Sequence, residues 1–390
     1  MRIKFLFDGV LSPTEATMKA LLAQGSQSAA LPYLLSYAPV AEMNPFQRLL
    51  YSRASEEGFA LVPAVDFGHL ASVGWAGRSI IHLHWLASVL SRARHMDEAM
   101  IRIAEFRKRL VSWRAAGHRI VWTMHNVLPH DSIMPQADIA LRRVIVEQAD
   151  AVHLLSQSSA EEASRYYDLP IEKTFHVPHP SYEGWYANTR DRMSARMDLE
   201  LPANELTFVA FGSLQRYKGL AELIDAFELL RQRQSERPMR LLIAGKVVDS
   251  EYHAELAVKT EHMSAVTLIP SAMEERQVQT LLNGADVVVA PYLRTLNSGA
   301  ALLAASFRRP LVAPRVGGVA ETFAPDPSLL YSGGPGDGLV DAMERALTRQ
   351  IDDHVFDAIL QSHRPDMISR SFFSQVRQRC LMSAAEEQVA

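Results

Sequence analysis

Short apolar runs alternate with amphipathic stretches along most of the chain, and this pattern predicts strands and helices in turn. In the first half, the expected strands are 3–7, 79–84, 119–124, 151–155 and 175–177. A helix is expected after the fourth of these, at about 158–167. Because buried strands are separated here by helical segments, we expect a parallel, doubly wound sheet.

The second half repeats the alternation after a polar, unperiodic stretch at 183–204, which is interpreted as a linker. Strands are expected at 208–211, 240–244, 266–269, 287–290 and 310–313. Helices are expected at 220–231, 251–260, 274–283, 298–307 and 337–348, and then to about 387. The fold class is therefore α/β with two Rossmann-like domains, at 1–185 and 186–365. A final helix, 366–390, is expected to return to the first domain, and ligands to bind in a cleft between the carboxyl ends of the two sheets.

Size and composition agree with this division. A chain of 390 residues with 48% hydrophobic and 22% charged residues is expected to form two globular domains. A net charge of −4 argues against a dedicated nucleic-acid binder. A single cysteine, Cys380, excludes an intramolecular disulfide and a cysteine zinc cluster, so a reducing, cytoplasmic location is expected. No apolar run approaches the roughly 20 residues that span a bilayer, so any membrane contact would be peripheral, on the inner face.

The segment 211–219, FGSLQRYKG, is the strongest chemical signal. It places a glycine turn, Arg216 and Lys218 between an apolar strand and a helix, where backbone N–H groups and the helix dipole favour an anion. About eighty residues later, Asn297 to Ala300 open another helix after a strand that ends near Tyr292. Two phosphate-compatible loops in one α/β half predict a nucleoside-diphosphate ligand. The predicted donor-binding residues are Gly212, Arg216, Lys218, Tyr292, Asn297, Ser298, Gly299, Ala300 and, after a later Gly-Gly pair, Glu321.

Several further motifs stand in a specific order. The second half contains LLIAG at 241–245, ADVVVAPY at 285–292 and RPLVAP at 309–314. The first half contains IHLHW at 81–85 and WTMHNVLPHD at 122–131. With the glycine-lysine loop, these motifs resemble the GT-B glycosyltransferases, most closely glycosyltransferase family 4 of the bacterial exopolysaccharide-assembly type. The resemblance covers roughly residues 80 to 325.

The resemblance implies a metal-independent glycosyltransferase with no cofactor. The donor would be a nucleotide sugar, with UDP favoured over GDP and either a hexose or a uronic acid as the sugar. The acceptor would be a polyprenyl-diphosphate-linked or oligosaccharide molecule in bacterial exopolysaccharide biosynthesis. The N-terminal domain would hold this acceptor, and the C-terminal domain would hold the nucleotide.

The resemblance also gives roles to residues of the first half. His125 corresponds to a histidine that contacts the donor sugar near the reaction centre. If the enzyme inverts configuration, a base must take the acceptor proton, and the candidates are His125 and Asp131. The predicted acceptor-binding residues are Gly9, His84, Asn126 and His130. His82 and His84 share one strand face, where packing or acceptor binding is favoured over a metal site.

Two departures from the family pattern affect the chemistry. Ser213 stands where many relatives have an arginine, so Arg216 is the candidate replacement cation. Thr295 and Leu303 stand where relatives often carry two glutamates, so the ribose must be contacted differently and the stereochemistry stays open. Two alternatives remain, a non-hydrolysing nucleotide-sugar epimerase and a catalytically silent, sugar-nucleotide-binding partner of an assembly complex. A Rossmann dehydrogenase is disfavoured because no dinucleotide glycine fingerprint follows the first strand.

The segment 92–119 is rich in arginine and has apolar residues at near-helical spacing. Such a pattern fits a basic amphipathic helix on an anionic membrane surface. It fits equally well a helix that packs on the core with a solvated polar face. A polyprenyl-diphosphate acceptor would favour the membrane interpretation.

Overall fold

The computed structural model describes residues 31–41, 44–71, 74–130, 132–334 and 336–381. These residues form two compact units. Unit 1 contains the chain up to Pro180 and again from Pro365, and unit 2 contains Ser181–Arg364. The strand expected at 3–7, and with it Gly9, lies outside the described residues. Within the described part of the chain, no helix is both long and apolar enough to cross a membrane.

Unit 1 is built on a six-stranded sheet in which every neighbouring pair is parallel, with the order β2-β1-β3-β4-β5-β6. The strands are β1 (Tyr33–Ala38), β2 (Phe59–Pro63), β3 (Ser79–Leu83), β4 (Arg119–Met124), β5 (Ala151–Leu154) and β6 (Thr174–His176). The expected strands that become β3 to β6 are thus found within about a residue. Strands β1 and β2 were missed, since a short apolar run without alternation fits a buried helix as well as a strand.

The helices of unit 1 connect these strands. They are α1 (Phe46–Leu50), α2 (Ala87–Leu90), α3 (Met96–Ala115), α4 (Pro135–Gln148) and α5 (Ser159–Ser164). Helix α3 buries Ile103, Phe106, Leu110 and Trp113 at helical spacing, and its start is capped by His95, whose side chain accepts from the Glu98 N–H. The segment 92–119 therefore does contain an amphipathic helix with one core-facing stripe.

Unit 2 contains a second six-stranded sheet, again parallel throughout, with the order β12-β11-β10-β7-β8-β9. Its strands are β7 (Leu206–Phe211), β8 (Met239–Ala244), β9 (Val266–Ile269), β10 (Val287–Val289), β11 (Leu311–Pro314) and β12 (Leu330–Tyr331). The predicted fold class, two Rossmann-like parallel sheets with interleaved helices, is confirmed.

The helices of unit 2 lie between and beside its strands. They are α6 (Arg192–Asp198), α7 (Leu220–Arg233), α8 (Ser250–Thr260), α9 (Glu275–Gly284), α10 (Gly299–Ser306), α11 (Gly317–Thr322), α12 (Asp337–Ala346) and α13 (Asp353–Ser362). The strand β7, central in the sheet, is flanked by β10 and β8, so the loops that follow these three strands leave from the same edge.

Helix α6 lies within the stretch 183–204 that was interpreted as a linker, and the sequence pattern did not predict it. Asp191 caps the helix by accepting the Ser194 N–H at 2.9 Å. Arg196, only 3% exposed, donates to the Gly284 carbonyl oxygen at 2.9 Å, at the end of α9. Seven residues with one buried apolar side chain, Ala195, carry too little periodicity to indicate a helix, so the tertiary contacts of Arg196 decide the structure.

Helix α14 (Pro365–Cys380) returns to unit 1 and covers one face of its sheet. Phe372 and Phe373 are fully buried there, in a cluster with Tyr37, Phe46 and Val121. The hydroxyl of Ser369 accepts the Arg53 N–H at 3.0 Å. The core of unit 1 is therefore completed by residues that follow the whole of unit 2 in sequence.

Candidate active site

In unit 2, the loop after β7 lies directly against the end of β8. The Gly212 N–H donates to the Ala244 carbonyl oxygen at 3.0 Å, and the Leu214 N–H donates to that of Lys246 at 2.8 Å. A Cβ atom on Gly245 would lie 1.4 Å from the Gly212 carbonyl oxygen. Glycine at 245 is therefore required by the close approach of two backbones.

The same loop also contacts the segment after β10. Gly219 adopts a left-handed conformation with a φ of 68°, and a Cβ atom there would lie 2.1 Å from the Pro291 carbonyl oxygen. The Leu293 N–H donates to the Tyr217 carbonyl oxygen at 2.9 Å. The structure thus brings together the two loops in which the sequence predicts phosphate binding.

Lys218 belongs to the first of these loops, and its side chain reaches the second. Its Nζ donates to the Tyr292 hydroxyl at 3.2 Å and lies 4.5 Å from the centre of that ring. Burial lowers the pKa of Lys218, but the phenol groups of Tyr292 and Tyr217 raise it, and the net pKa lies above its usual range. Among the described ion pairs none involves Lys218, so its ammonium has no carboxylate to neutralise it. A half-buried cation without a carboxylate partner suits an anionic ligand.

Tyr292 connects Lys218 to the start of α10. The Ser298 hydroxyl donates to the Tyr292 hydroxyl at 3.2 Å and accepts the Ala301 N–H at 3.1 Å. Gly299 and Ala300 form the first turn of this eight-residue helix, where N–H groups point toward its N-terminus. Lys218, Tyr292 and the start of α10 therefore form one continuous set of donors.

The loop after β11 contacts the segment that precedes α10 and contains Asn297. The Gly318 N–H donates to the Leu296 carbonyl oxygen at 2.8 Å, while the Thr295 hydroxyl donates to that of Asn297 at 2.9 Å. The Asn297 Nδ2 is buried and has no hydrogen-bond partner among the described residues. An unpaired buried donor is costly unless a ligand uses it. Glu321 is an exposed residue of α11, the helix in whose first turn Gly318 lies.

Arg216 points to different partners. Its guanidinium forms two hydrogen bonds with Glu255, at 2.6 and 2.7 Å, and lies 3.6 Å from an Asp249 carboxylate oxygen. It also lies over the Tyr252 ring, 5.0 Å from the ring centre. The structure therefore separates Arg216 from Lys218, because two carboxylates on and before α8 already neutralise its charge.

In unit 1, polar side chains converge on one face of the sheet near the ends of β3, β4 and β5. His82 and Thr123 are buried members of β3 and β4, and His153 is a buried member of β5 that pairs in register with Thr123. His84 and His125 follow β3 and β4 and continue the same alternation. Polar residues inside otherwise apolar strands were visible in the sequence, but Thr123 and His153 were not singled out.

These side chains form one connected chain of hydrogen bonds that also includes Tyr51, which follows α1. The successive donor–acceptor distances lie between 2.6 and 3.0 Å. The Val177 carbonyl oxygen is hydrogen-bonded to His153 Nε2, and His153 Nδ1 to Thr123 Oγ1. Thr123 Oγ1 is hydrogen-bonded in turn to His82 Nε2, and His82 Nδ1 to Tyr51 Oη. Tyr51 Oη is hydrogen-bonded to His84 Nε2, and His84 Nδ1 to His125 Nε2. Tyr51 gave no sequence signal, because nothing in a lone tyrosine indicates a partner some thirty residues away.

The four histidines of this network are neutral. Burial lowers the pKa of His153 to about 3, and it lowers the pKa values of His82, His84 and His125 well below their usual range. Neighbouring imidazoles lower these three values further, because a second positive charge nearby would repel the first. The described residues contain no group of three or more potential ligands that could hold a metal ion.

His125 is the half-buried end of the network. Its ring stacks on Trp85, with 4.2 Å between ring centres and 17° between ring planes, and meets Phe46 edge-on at 4.9 Å. Asn126 and His130 follow it on the same half-buried loop, whereas Asp131 lies outside the described residues. Of the predicted acceptor-binding residues, His84 is fully buried and is hydrogen-bonded to the half-buried His125.

The basic face of α3 is less charged than the sequence suggests. On the helix, Arg107 pairs with Glu147 and Arg114 with Asp150, and Arg119 at the start of β4 also pairs with Asp150. Exposed apolar residues do occur beside the remaining cations, namely Met100, Ile101 and Val111. The structure thus shows a mixed surface on this helix.

The fold and the phosphate-compatible loops define a class of protein. Residues 205–349 match the family model described as Glycosyl transferases group 1. The described chain has the GT-B fold, and the resemblance to GT-B glycosyltransferases is confirmed. The protein is therefore a glycosyltransferase.

Individual relatives with a known activity have low sequence identity to this chain. The GDP-mannose:glycolipid 4-beta-D-mannosyltransferase of Xanthomonas campestris pv. campestris is 25% identical over 300 residues, which cover 76% of this chain and 77% of that protein. The D-inositol 3-phosphate glycosyltransferase of Corynebacterium urealyticum is 27% identical over 61% of this chain and 58% of its own length.

Two solved structures share the fold. Anabaena Alr3699/HepE, in complex with UDP and glucose, has a TM-score of 0.65 at 14% identity, covering 89% of this chain and 100% of that chain. A UDP-forming alpha,alpha-trehalose-phosphate synthase from Burkholderia xenovorans, in complex with glucose-6-phosphate, has a TM-score of 0.59 at 16% identity, with 77% and 73% covered.

Proposed function

We propose that this protein transfers a hexose or uronic acid from a nucleoside-diphosphate sugar to a lipid-linked or oligosaccharide acceptor. The observation that carries the proposal is the half-buried Lys218 ammonium, which has no carboxylate partner among the described ion pairs and contacts Tyr292 beside the start of α10. A diphosphate bound there would meet a fixed cation and backbone N–H donors. These groups would stabilise the charge that develops as the sugar–phosphate bond breaks, without requiring a metal.

The acceptor is assigned to unit 1. In the proposed reaction the acceptor hydroxyl oxygen forms a bond to the sugar C1, and the C1–O bond to the β-phosphate breaks with its electron pair on the nucleotide. The hydroxyl proton must go to a base, for which His125 and Asp131 are the candidates. His125 is neutral and its ring is fixed by Trp85, so it can accept a hydrogen bond from an acceptor hydroxyl.

The nucleotide base and the acceptor are the finer parts of the proposal. UDP remains our prediction, and a relative that matches over three quarters of this chain is named for GDP-mannose and a glycolipid, which makes GDP the competing arm. A polyprenyl-diphosphate carrier and a role in exopolysaccharide biosynthesis follow from the same resemblance. An anionic membrane surface, met through α3, is proposed for the same acceptor.

The test is ligand-induced thermal stabilisation by UDP, GDP, ADP and their common sugar conjugates. A ligand at about 100 times its dissociation constant stabilises the folded protein by roughly 2.7 kcal/mol. We expect one nucleotide to raise the melting temperature of the wild type and of Lys259→Ala. Lys259 is a matched control because it pairs with Asp225 on the surface of unit 2.

Lys218→Ala should abolish the stabilisation. If Lys218→Ala responds as the wild type does, the phosphate loop is assigned wrongly. If no nucleotide stabilises the wild type, the nucleotide-sugar function itself fails. Transfer to a glycolipid acceptor in a vesicle, with the same nucleotide sugar as donor, then tests the acceptor class.

A further inference from the structure

The buried hydrogen-bond network of unit 1 begins at an atom that can only accept. The Val177 carbonyl oxygen lies 2.8 Å from His153 Nε2, so this nitrogen must carry a proton. A neutral imidazole has one N–H and one bare nitrogen, which leaves His153 Nδ1 as an acceptor. The Thr123 hydroxyl, 3.0 Å away, must therefore donate to it.

Each later link is fixed in the same way. The one hydroxyl proton of Thr123 is used, so His82 Nε2, at 2.7 Å, donates to the Thr123 oxygen. His82 Nδ1 is then bare and accepts from the Tyr51 hydroxyl at 2.6 Å. The Tyr51 oxygen in turn accepts from His84 Nε2 at 2.7 Å.

The last link fixes the tautomer of His125. His84 Nδ1 is bare and lies 3.0 Å from His125 Nε2, so His125 Nε2 carries the proton and donates. In neutral His125 the other nitrogen, Nδ1, is then left without a proton. The described hydrogen bonds of His125 involve only Nε2, so Nδ1 is available to a ligand.

We propose that this relay, made of His153, Thr123, His82, Tyr51 and His84, positions His125 with a bare Nδ1 as the hydrogen-bond acceptor for the attacking hydroxyl of the sugar acceptor. The proposal deepens the proposed function and rests on it for the identity of the hydroxyl. The five residues are positioning residues, since they act through His125. Burial stabilises these hydrogen-bond directions. Thr123, His82, His84 and His153 are fully buried, so solvent does not compete for their hydrogen bonds.

The decisive variant is Thr123→Val, which keeps the shape of the side chain and removes its hydroxyl. In the wild-type direction it would leave the His82 Nε2–H buried without an acceptor, which is costly. The segment from His82 to His125 can avoid this cost by reversing every hydrogen bond. His125 then carries its proton on Nδ1 and presents a donor.

The readout is the ¹⁵N spectrum of histidine-labelled protein, which distinguishes the two tautomers of each ring, with the His125 signals assigned by their loss in His125→Gln. We expect Nε2-protonated His125 in the wild type and in Thr123→Ser, which keeps the hydroxyl. We expect the Nδ1-protonated form to be populated in Thr123→Val. Tyr51→Phe breaks the relay at a second place and should have the same effect, so the test survives if one variant fails to fold.

Wild-type His125 protonated on Nδ1, or an unchanged tautomer in the folded relay variants, would overturn the proposal. Transfer kinetics give the second readout. We expect kcat to fall by at least about tenfold in Thr123→Val, less than the roughly 10²–10⁴-fold that a general base itself contributes, with the donor dissociation constant unchanged. A tautomer change that leaves kcat intact would refute the role in transfer. The spectra do not depend on activity, so failure of the proposed function is distinguishable from failure of the relay.

Discussion

Gly245 at the end of β8 and Gly212 at the end of β7 are in backbone contact, at a distance that leaves no room for a side chain on Gly245. The Cβ atom of an alanine would lie 1.4 Å from the Gly212 carbonyl oxygen. Gly245→Ala therefore forces the loop after β7, residues 211–219, away from β8. We expect a loss of about 1–3 kcal/mol in the free energy of unfolding and weaker nucleotide binding.

The control for this change is Gly334→Ala, where a Cβ atom would meet nothing within 4 Å. Urea unfolding and nucleotide titration of both variants measure the difference. Equal behaviour of the two variants would show that the loop has space that the structure does not show.

Tyr292→Phe removes the hydroxyl that joins Lys218 to Ser298. The ring and its contact with the Lys218 ammonium remain, so the fold should lose only about 1 kcal/mol. We expect the dissociation constant for the nucleotide to rise up to about tenfold, as the two donors lose their common partner. Isothermal titration calorimetry measures this, with Tyr33→Phe in unit 1 as control. An unchanged dissociation constant would remove Tyr292 from the site.

Arg216→Ala should weaken nucleotide binding much less than Lys218→Ala does. The Arg216 charge is already balanced by Glu255 and Asp249, whereas that of Lys218 is not balanced by any described carboxylate. Because the Arg216 pair is exposed to solvent, its loss should change the stability of the fold very little. Parallel thermal-shift titrations decide this. If Arg216→Ala abolishes binding, the arginine must leave its carboxylates when the ligand arrives.

Acid should destabilise unit 1 through its neutral histidines. Burial lowers the folded-state pKa of His153 to about 3, whereas the unfolded value is near 6.5, so below about pH 6.5 the unfolded chain binds a proton that the folded chain does not. The stabilisation is complete above that pH and falls as the pH is lowered toward 3. Each such histidine contributes up to about 1.4 kcal/mol per pH unit.

Urea unfolding between pH 7 and 5, followed by tryptophan fluorescence, measures this slope, since four of the five tryptophans lie in unit 1. His153→Gln should reduce the slope by about one proton. His262→Gln, at an exposed position of unit 2, should leave it unchanged. A His153→Gln slope equal to that of the wild type would mean that His153 titrates normally in the folded protein.

Phe372→Ala should destabilise unit 1 strongly, although residue 372 follows all of unit 2. The Phe372 ring is fully buried and stacks on His82, 5.1 Å between centres, so its removal leaves a cavity beside the relay. A loss of about 3–5 kcal/mol is expected in chemical unfolding. Met367→Ala on the same helix, 55% exposed, should change stability by less than about 0.5 kcal/mol. Similar losses for both would contradict the packing of α14 on this sheet.

The sequence was most informative where the signal is local. An apolar strand, a glycine turn and a following helix stand together in 206–220, so the loop and the place of Lys218 in it could be predicted, while phosphate binding there stays a prediction. Helix α6 was missed because its structure depends on Arg196 binding the distant Gly284 carbonyl oxygen. The partner of Arg216 was missed for the same reason, since Glu255 is 39 residues away.

The relay of unit 1 illustrates the limit more sharply. His82 and His84 were correctly placed on one strand face, but Tyr51, Thr123 and His153 come from three other segments. The parallel register of β3, β4 and β5 brings the strand residues into hydrogen-bond contact, and Tyr51 joins them from the end of α1. The direction in which the hydrogen bonds of this relay are donated depends on the Val177 carbonyl oxygen. This is a backbone atom, so the pattern of side chains does not reveal its role.

The discontinuity of unit 1 imposes an order on synthesis. Translation completes residues 181–364 before α14 leaves the ribosome. Unit 2 can therefore finish folding while the sheet face of unit 1 that α14 covers still lacks Phe372 and Phe373. The nascent N-terminal sheet therefore exposes apolar surface for the time needed to translate nearly two hundred residues. At elongation rates of about 5–20 residues per second this is on the order of ten seconds or more, long enough for chaperones to bind.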